Sequence, residues 1–226
     1  MTTRPQAAAF DAVLFDLDGT LVDSAPDLAG TANDMRAARG LPPLPYERLR
    51  PHAGSGARGM LGAGLGTRPG DEVYLALRDE FHDRYEARML RHTAVFDAVH
   101  ALLDALDSHR LPWGIVTNKA LRFAEPMSRA LGLLPRAAVL VGGDSTPHTK
   151  PHPAPLLEAA RRLQRAPQRC LYVGDDARDI IAGRAAGMAA LAAAWGYLGP
   201  DHPVQDWGAD RVLAAPGELL HFLDLT

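Results

Sequence analysis

The chain of 226 residues is predicted to form an α/β protein in which a doubly wound parallel sheet carries a helical insertion after its first strand. Short, nearly continuous apolar runs recur along the sequence, as in strands that are buried on both faces. Segments with helical periodicity separate these runs, which indicates alternating strands and helices. The segment 23–92 interrupts this alternation, because it contains no convincing strand. Together these observations predict a Rossmann-like core with an inserted α-helical module.

Six apolar runs are predicted to be the strands of the core. In chain order they are Ala12–Phe15, Trp113–Val116, 137–141, 171–173, 188–192 and Arg211–Leu213. Between them, three groups of apolar residues are spaced to share one helical face, and each group is predicted to pack on the sheet. The groups are Val99, Leu102, Leu103 and Leu106, then Leu156, Leu157, Ala160 and Leu163, and finally Ile180, Ile181 and Ala185.

The insertion after the first strand is predicted to contain two helices. The first runs from Ala25 to Arg39 and is ended by Gly40, since glycine favours the left-handed conformation that closes a helix. The second carries an apolar residue at every fourth position. Between them, the segments "GLPPLP" and "HAGSGARGMLGAGLG" are interpreted as breakers of secondary structure. The positions of the second helix are Val73, Leu77, Phe81, Tyr85 and Met89.

The composition excludes some classes of function. The formal net charge of -3 gives no reason to expect nucleic acid or an anionic membrane surface as a partner. Cys170 is the only cysteine, so the chain forms no intrachain disulfide. Residues 1–9 lack the pattern of a secretory signal, and no apolar run is long enough to span a bilayer. A cytoplasmic location is expected.

Residues that follow the strands are the candidate site residues, because ligands of an open parallel sheet bind beyond the carboxyl ends of its strands. The set contains both lysines of the chain, whereas all its other Lys and Arg positions are arginine. A lysine kept at these two positions indicates that the site needs a compact ammonium instead of a planar guanidinium. The set comprises Asp16, Asp18, Gly19 and Thr20, then Thr117, Asn118 and Lys119, then Gly142, Gly143, Asp144 and Lys150, and lastly Gly174, Asp175, Asp176 and Asp179.

The predicted set has the chemistry of phosphoryl transfer. Several carboxylates gathered at one edge cannot all stay ionised near neutral pH without a cation. Mg²⁺ suits such a site, because it takes one or two protein carboxylates together with phosphate oxygens and water. The Lys150 ammonium and the Thr117 hydroxyl can then contact the remaining phosphoryl oxygens.

Each motif taken alone also has a simpler interpretation. The segment "DLDG" could be a polar turn, and Thr117 with Asn118 could cap the next helix. Asp175, Asp176 and Asp179 could stabilise the positive end of a helix dipole. A phosphorylated signalling domain would also carry acids and a lysine on a doubly wound sheet. Such a domain needs neither a second aspartate at position 18 nor a helical insertion, so the combined set favours an enzyme.

Four segments resemble the motifs of the haloacid-dehalogenase superfamily of aspartyl-phosphate phosphatases. They are "DLDGT", the "TN" at 117–118, Lys150 within "TKPHPAP", and "GDDARD". The helical insertion resembles the cap domain that this superfamily carries after its first motif. The resemblance implies a core domain of residues 1–22 and 93–226, and a helical cap domain of residues 23–92, called the cap below.

The resemblance also implies a role for each motif residue. Asp16 would be the nucleophile that forms an aspartyl-phosphate, and Asp18 the general acid and then the base. Mg²⁺ would be held by Asp16, by the main-chain carbonyl of Asp18 and by Asp175, with Asp179 supporting them. The role of Asp176 stays open. The phosphate-binding residues would be Thr117, Asn118 and Lys150.

Within the superfamily, "KPHPAPL", "VGDDARDI" and "WGYLGP" are similar to the phosphoglycolate-phosphatase group. "MRAARGLPP", "GSGARGM", "WGIVTNKALRFAEP" and "WGAD" look closer to a branch that acts on N-acetylmuramic acid 6-phosphate in cell-wall sugar recycling. That substrate is preferred here, with 2-phosphoglycolate as the alternative and a sugar-phosphate mutase of the β-phosphoglucomutase type as a more distant one.

The expected partner is therefore a small phosphorylated metabolite that bears a carboxylate, and neither nucleic acid nor a membrane. The cap loop "GSGAR" is predicted to bring Arg58 to that carboxylate when the cap closes, although Arg58 could equally be a solvated surface residue. A monomer or a homodimer is expected.

Overall fold

The computed structural model describes residues 10–199 and 203–225, and its centre is a six-stranded parallel sheet. Residues 1–9, which lack the pattern of a secretory signal, and Pro200 of "WGYLGP" lie outside the described residues. The strands that make up the main sheet occur in the spatial order β5-β4-β1-β6-β7-β8. They are β1 (Ala12–Phe15), β4 (Trp113–Val116), β5 (Val139–Val141), β6 (Cys170–Gly174), β7 (Ala189–Ala193) and β8 (Arg211–Leu213), while β2 (Val22–Asp23) and β3 (Ala94–Val95) form a separate antiparallel pair.

The strand order reverses between β1 and β6. From β1 the chain moves outward on one side to β4 and β5, and then returns to add β6, β7 and β8 on the other side. β1 pairs with β4 and with β6, and all four of its residues are buried. Such a reversal opens a crevice at the carboxyl ends of the two central strands, which is where ligands bind in open α/β sheets.

Helices cover both faces of the sheet, as the apolar runs predict. The cluster on one face includes Val13 and Phe15 of β1, and the cluster on the other face includes Ala12 and Leu14. Both clusters are continuous with buried residues of flanking helices, so the core is doubly wound. The helices are α1 (Ala25–Ala37), α2 (Tyr46–Leu49), α3 (Gly56–Leu65), α4 (Tyr74–Glu86), α5 (Asp97–Ser108), α6 (Leu121–Ala130), α7 (Ala154–Leu163), α8 (Ala177–Ala185) and α9 (Gly217–Phe222).

The predicted buried face is confirmed for α5 and wrong in part for α7 and α8. All four apolar residues predicted for α5 are buried. Leu157 and Ile181 are instead 41% and 52% exposed, and Ala185 is exposed as well, because the buried face of each helix is turned away from these positions. The buried positions include Leu156, Ala159 and Ala160 on α7, and Ile180, Ala182 and Gly183 on α8.

The glycine-rich segment of the cap, which was expected to break secondary structure, forms a 3-10 turn at Arg50–Ser55 followed by α3. α3 packs on α1, and a β-carbon on Gly64 would lie 3.3 Å from that of Ala32. Glycine therefore allows the two helices to approach closely, and their packing outweighs its low helix propensity.

Two features close the base of the cap. The antiparallel pair of β2 and β3, which the sequence analysis missed, joins the chain as it enters and leaves the cap. Next to it, Asp27 Oδ2 accepts hydrogen bonds of 2.9 Å from His92 N, Thr93 N and Thr93 Oγ1. The division at residues 22 and 93 stays a prediction. Among the described residues, every helix is too short or too polar to cross a lipid bilayer.

We expect Gly114→Ala in β4 to lower the free energy of unfolding by about 1–3 kcal/mol, as over-packing of a core does. A β-carbon there would collide with Val139 Cγ1 and lie 3.0 Å from Val139 O. Gly217→Ala, at an exposed position of α9 where the new β-carbon has no neighbour within 4 Å among the described residues, is the matched control and should change stability by about 0.5 kcal/mol or less. Urea denaturation measures both, and equal stability of the two variants would contradict the packing described.

Candidate active site

The candidate site lies at the crevice between β1 and β6, under the cap. Asp16 directly follows β1, Thr117 follows β4 and Asp175 follows β6. Eight of the sequence-predicted residues line one cavity with residues of the cap. They are Asp16, Asp18, Thr117, Asn118, Lys119, Lys150, Asp176 and Asp179.

The Lys150 ammonium is buried at the floor of the site. Its Nζ lies 2.9 Å from Asp16 Oδ1 and 2.6 Å from Asp179 Oδ1, and it donates to Tyr172 Oη at 2.8 Å. Burial alone would lower the pKa of Lys150, but the charges of Asp16 and Asp179 outweigh it and raise this pKa. Lys150 is therefore a fixed cation beside the first aspartate.

Three carboxylates meet at the same point. Asp16, Asp175 and Asp179 each offer an oxygen within 4.8 Å of the others. Burial raises the pKa of Asp16 to about 6, although Lys150 opposes this effect. Burial and the charges of Asp16 and Asp179 raise the pKa of Asp175 well above its usual range. Gathering buried like charges has this effect, and a divalent cation among the oxygens reverses it.

The three carboxylates differ in how far their oxygens are already engaged. Asp179 Oδ1 meets Lys150 and accepts from Tyr172 Oη, while Oδ2 accepts from Asp176 N at 3.1 Å. Asp16 Oδ1 is buried, and apart from the nearby Lys150 ammonium it has no well-aligned hydrogen-bond donor among the described residues. Acceptor capacity therefore remains at Asp16.

The turn "DGT", which follows β1, contacts Asp175 at the end of β6. Thr20 Oγ1 donates to Asp175 Oδ1 at 3.0 Å, and Tyr197 N donates to Asp175 Oδ2 at 2.7 Å. Gly19 has φ +86°, and a β-carbon there would collide with the Asp175 carboxylate. Glycine is thus required at this position both by the backbone angle and by the close approach.

Asp18 also lines the cavity, but its carboxylate has partners other than those of Asp16. Lys119 Nζ donates to Asp18 Oδ1 at 2.9 Å and to Oδ2 at 3.1 Å, and the Ser24 hydroxyl donates to Oδ1. The same ammonium donates to Tyr85 Oη of the cap helix α4 at 2.9 Å. Lys119 was among the candidate site residues predicted from the sequence, but without a role, and its contacts join the cap to the core.

Asn118 is engaged by the backbone of Lys150. Its side-chain amide donates to Lys150 O and accepts from Lys150 N, each at 2.9 Å. Thr117 is buried, and its Oγ1 accepts from Lys119 N at 3.1 Å, which leaves its hydroxyl proton available. The two residues therefore differ. Asn118 holds the backbone of Lys150 in place, and Thr117 offers a hydroxyl donor to the cavity.

Arg58 lies outside the cavity, on the exposed side of α3 instead of in a loop. A different arginine, Arg178, lines the cavity and was missed. Its guanidinium pairs with both oxygens of Asp176 at 2.7 Å and donates to Gly54 O of the cap at 2.8 Å. Asp176, whose role was left open, caps α8 and orients this arginine.

Comparison with known proteins agrees with this geometry. A model of the haloacid dehalogenase-like hydrolases matches residues 10–187. The chain is 44% identical over 213 residues to the N-acetylmuramic acid 6-phosphate phosphatase of Pseudomonas aeruginosa, covering 94% of each chain. It is 47% identical over 209 residues to the phosphoglycolate phosphatase of Xanthomonas campestris pv. campestris, covering 92% of this chain and 94% of the relative.

A solved structure also matches across the whole fold. The crystal structure of a predicted phosphoglycolate phosphatase from Haemophilus somnus superposes with a TM-score of 0.83 at 27% identity, covering 94% of this chain and 97% of that one. The family model spans most of the chain, and both curated relatives are phosphatases. The chain therefore belongs to the haloacid dehalogenase-like hydrolase family, and it is a phosphatase.

Proposed function

We propose that the protein is a Mg²⁺-dependent phosphomonoester hydrolase that works through an aspartyl-phosphate at Asp16. The observation that carries the proposal is the contrast between two cavity-lining aspartates one residue apart. Asp16 lies 2.9 Å from the buried Lys150 ammonium and near Asp175, whereas Asp18 is bound by a different lysine, Lys119. One carboxylate can attack phosphorus while the other exchanges a proton with the leaving group.

The reaction then proceeds in two displacements. An oxygen of Asp16 forms a bond to phosphorus as the ester P–O bond breaks, and Asp18 gives its proton to the departing oxygen. Asp18 next takes a proton from water as that water attacks phosphorus and the bond to Asp16 breaks, which releases inorganic phosphate. Lys150 and the Thr117 hydroxyl bind phosphoryl oxygens, and Asn118 keeps Lys150 in position through its backbone.

The residues at the crevice fit a small divalent cation. Asp16 has unsatisfied acceptor capacity, and each oxygen of Asp175 accepts from one neutral donor. Asp179 is more fully engaged, because the Lys150 ammonium, the Tyr172 hydroxyl and Asp176 N all contact it. Asp16 and Asp175 would therefore hold Mg²⁺, together with the main-chain carbonyl of Asp18 that the family resemblance implies, and Asp179 would orient Lys150. When bound, the cation neutralises the gathered carboxylates and the charge of the transferring phosphoryl group.

The preferred substrate is N-acetylmuramic acid 6-phosphate, with 2-phosphoglycolate as the alternative. Relatives named for each substrate are nearly equally similar to this chain, so identity does not separate the two. The larger molecule is supported by the lining of the cavity, because apolar side chains from both cap and core line it together with the polar residues. These side chains are Leu28, Ala57, Phe81 and Phe123.

Recognition of the substrate carboxylate by Arg58 requires a movement of the cap and remains a prediction, because Arg58 lies outside the cavity. The carboxylate-bearing substrate, the cytoplasmic location and the monomeric or homodimeric state also remain predictions.

Mg²⁺ is expected to raise the melting temperature of the wild-type chain by about 5–10 °C at a concentration near a hundred times its dissociation constant. Asp175→Asn should abolish this rise, because it removes one ligand charge. Without Mg²⁺ the variant should melt at or above the wild-type temperature, since it relieves repulsion among Asp16, Asp175 and Asp179. Thermal unfolding with Mg²⁺ and with EDTA measures both effects, and an undiminished rise in Asp175→Asn would contradict the metal assignment.

Wild-type enzyme with Mg²⁺ should hydrolyse N-acetylmuramic acid 6-phosphate with a kcat/KM at least about ten times that for 2-phosphoglycolate, which corresponds to about 1.4 kcal/mol of differential transition-state binding. Steady-state release of inorganic phosphate measures both values. Asp16→Asn, which keeps the size of the side chain, should lower each by about three orders of magnitude or more. A higher value for 2-phosphoglycolate would overturn the substrate choice alone, while retained activity in Asp16→Asn would overturn the mechanism.

A further inference from the structure

We propose that Lys119 is the positioning residue for Asp18, and that Tyr85 of the cap holds Lys119 in turn, so that the cap helix α4 is part of the leaving-group machinery. This inference rests on the proposed role of Asp18 as the general acid. It concerns two residues outside the four motifs, one in the core and one in the cap.

The contacts of Lys119 satisfy its ammonium completely. Its three N–H donors match three acceptors, Asp18 Oδ1 at 2.9 Å, Asp18 Oδ2 at 3.1 Å and Tyr85 Oη at 2.9 Å. The Lys119 side chain is 8% exposed, so these contacts are sheltered from solvent. Removing either partner leaves a buried cation with an unsatisfied donor, which is costly enough to displace the side chain.

The two oxygens of Asp18 are held unequally. Oδ1 receives the shorter contact from Lys119 and the hydroxyl of Ser24, whereas among the described residues Oδ2 receives only the longer contact from Lys119. Because two donors fix Oδ1, Oδ2 is the less engaged oxygen and the one that exchanges a proton with the leaving group and then with water. Lys119 thus fixes the orientation of the carboxyl group.

The packing around Tyr85 holds its hydroxyl in position to contact Lys119. It is buried, its ring packs edge to face against Phe123 of α6 with centroids 5.6 Å apart, and the Lys119 ammonium lies 4.7 Å from its ring centre. Its hydroxyl oxygen accepts from Lys119. Burial raises the pKa of Tyr85 to about 12, so it keeps its own proton at neutral pH. Because α4 belongs to the cap, Lys119 is held in this way only while the cap lies against the core.

The basicity of the leaving group distinguishes a positioning role of Lys119 from a purely structural one, because only the positioning role predicts a loss that depends on the leaving group. An alkyl phosphate releases a strongly basic alkoxide and needs a proton from Asp18, whereas p-nitrophenyl phosphate releases a stable phenolate and does not. The value of kcat/KM reports the steps up to release of the leaving group, so it isolates this proton transfer from later hydrolysis of the intermediate. A misplaced acid is expected to cost about a hundredfold in rate.

The experiment compares kcat/KM for N-acetylmuramic acid 6-phosphate and p-nitrophenyl phosphate, with Mg²⁺, in the wild-type chain and four variants. Lys119→Met should lose at least about ten times more on the alkyl ester than on the aryl ester. Tyr85→Phe, which keeps the ring packing, should show the same selective loss to a smaller extent. Lys150→Met, the matched control at the only other lysine, should lose equally on both because it contacts the phosphoryl group.

Asp18→Asn tests the general-acid role of Asp18 separately from the positioning role of Lys119. This variant should show the selective loss on the alkyl ester most strongly. If it does, equal losses on both esters in Lys119→Met and Tyr85→Phe overturn the positioning role while the proposed function stands. If Asp18→Asn loses equally on both esters, the role of Asp18 as general acid and this inference fail together. Thermal unfolding of each variant identifies any that do not fold, and Tyr85→Phe keeps the test decisive if Lys119→Met is among them.

Discussion

The buried ion pairs of Lys150 with Asp16 and Asp179 are the interaction on which the rest of the site depends. Three charged groups with little exposure to solvent are costly to bury, and the cost is offset only if each keeps its partners. Neighbouring residues meet this condition, because Asn118 binds the backbone of Lys150 and Tyr172 of β6 donates to Asp179. The same network leaves Asp16 with a cation at its side and an oxygen that is not fully satisfied.

The topology of the sheet explains why these residues meet. The strand order reverses between β1 and β6, so the loop after each strand opens on the same crevice from opposite sides. Close approach across the crevice requires small residues. Gly174 and Gly196 leave no room for a β-carbon beside Asp179 and Asp175, as Gly19 does on the β1 side. The aspartates can therefore lie close together because glycine, which has no side chain, occupies the backbone positions that contact them.

The sequence predicted the strands, their parallel arrangement and the gathering of acids at one edge, because these follow from periodicity and from the position of a residue after a strand. It could not predict which residues touch across loops. Lys119 lies 101 positions from Asp18, and only the folded loops bring its ammonium to that carboxylate. The helix in the glycine-rich cap segment was missed because packing of α3 on α1 overrides local propensity, and the pair β2 and β3 was missed because two-residue strands carry no pattern.

The two aspartates of "DLDG" have separate partners, because Lys150 lies beside Asp16 and Lys119 binds Asp18. The proposed mechanism requires a bond between phosphorus and Asp16. This bond can be detected by rapid acid quenching of Asp18→Asn during turnover of p-nitrophenyl phosphate, followed by borohydride reduction and peptide mass spectrometry. We expect conversion of Asp16 to homoserine, at higher yield than in the wild-type chain because the water-activating base is missing. Modification of a different residue, or an unmodified Asp16 while p-nitrophenolate is released in a burst, would contradict it.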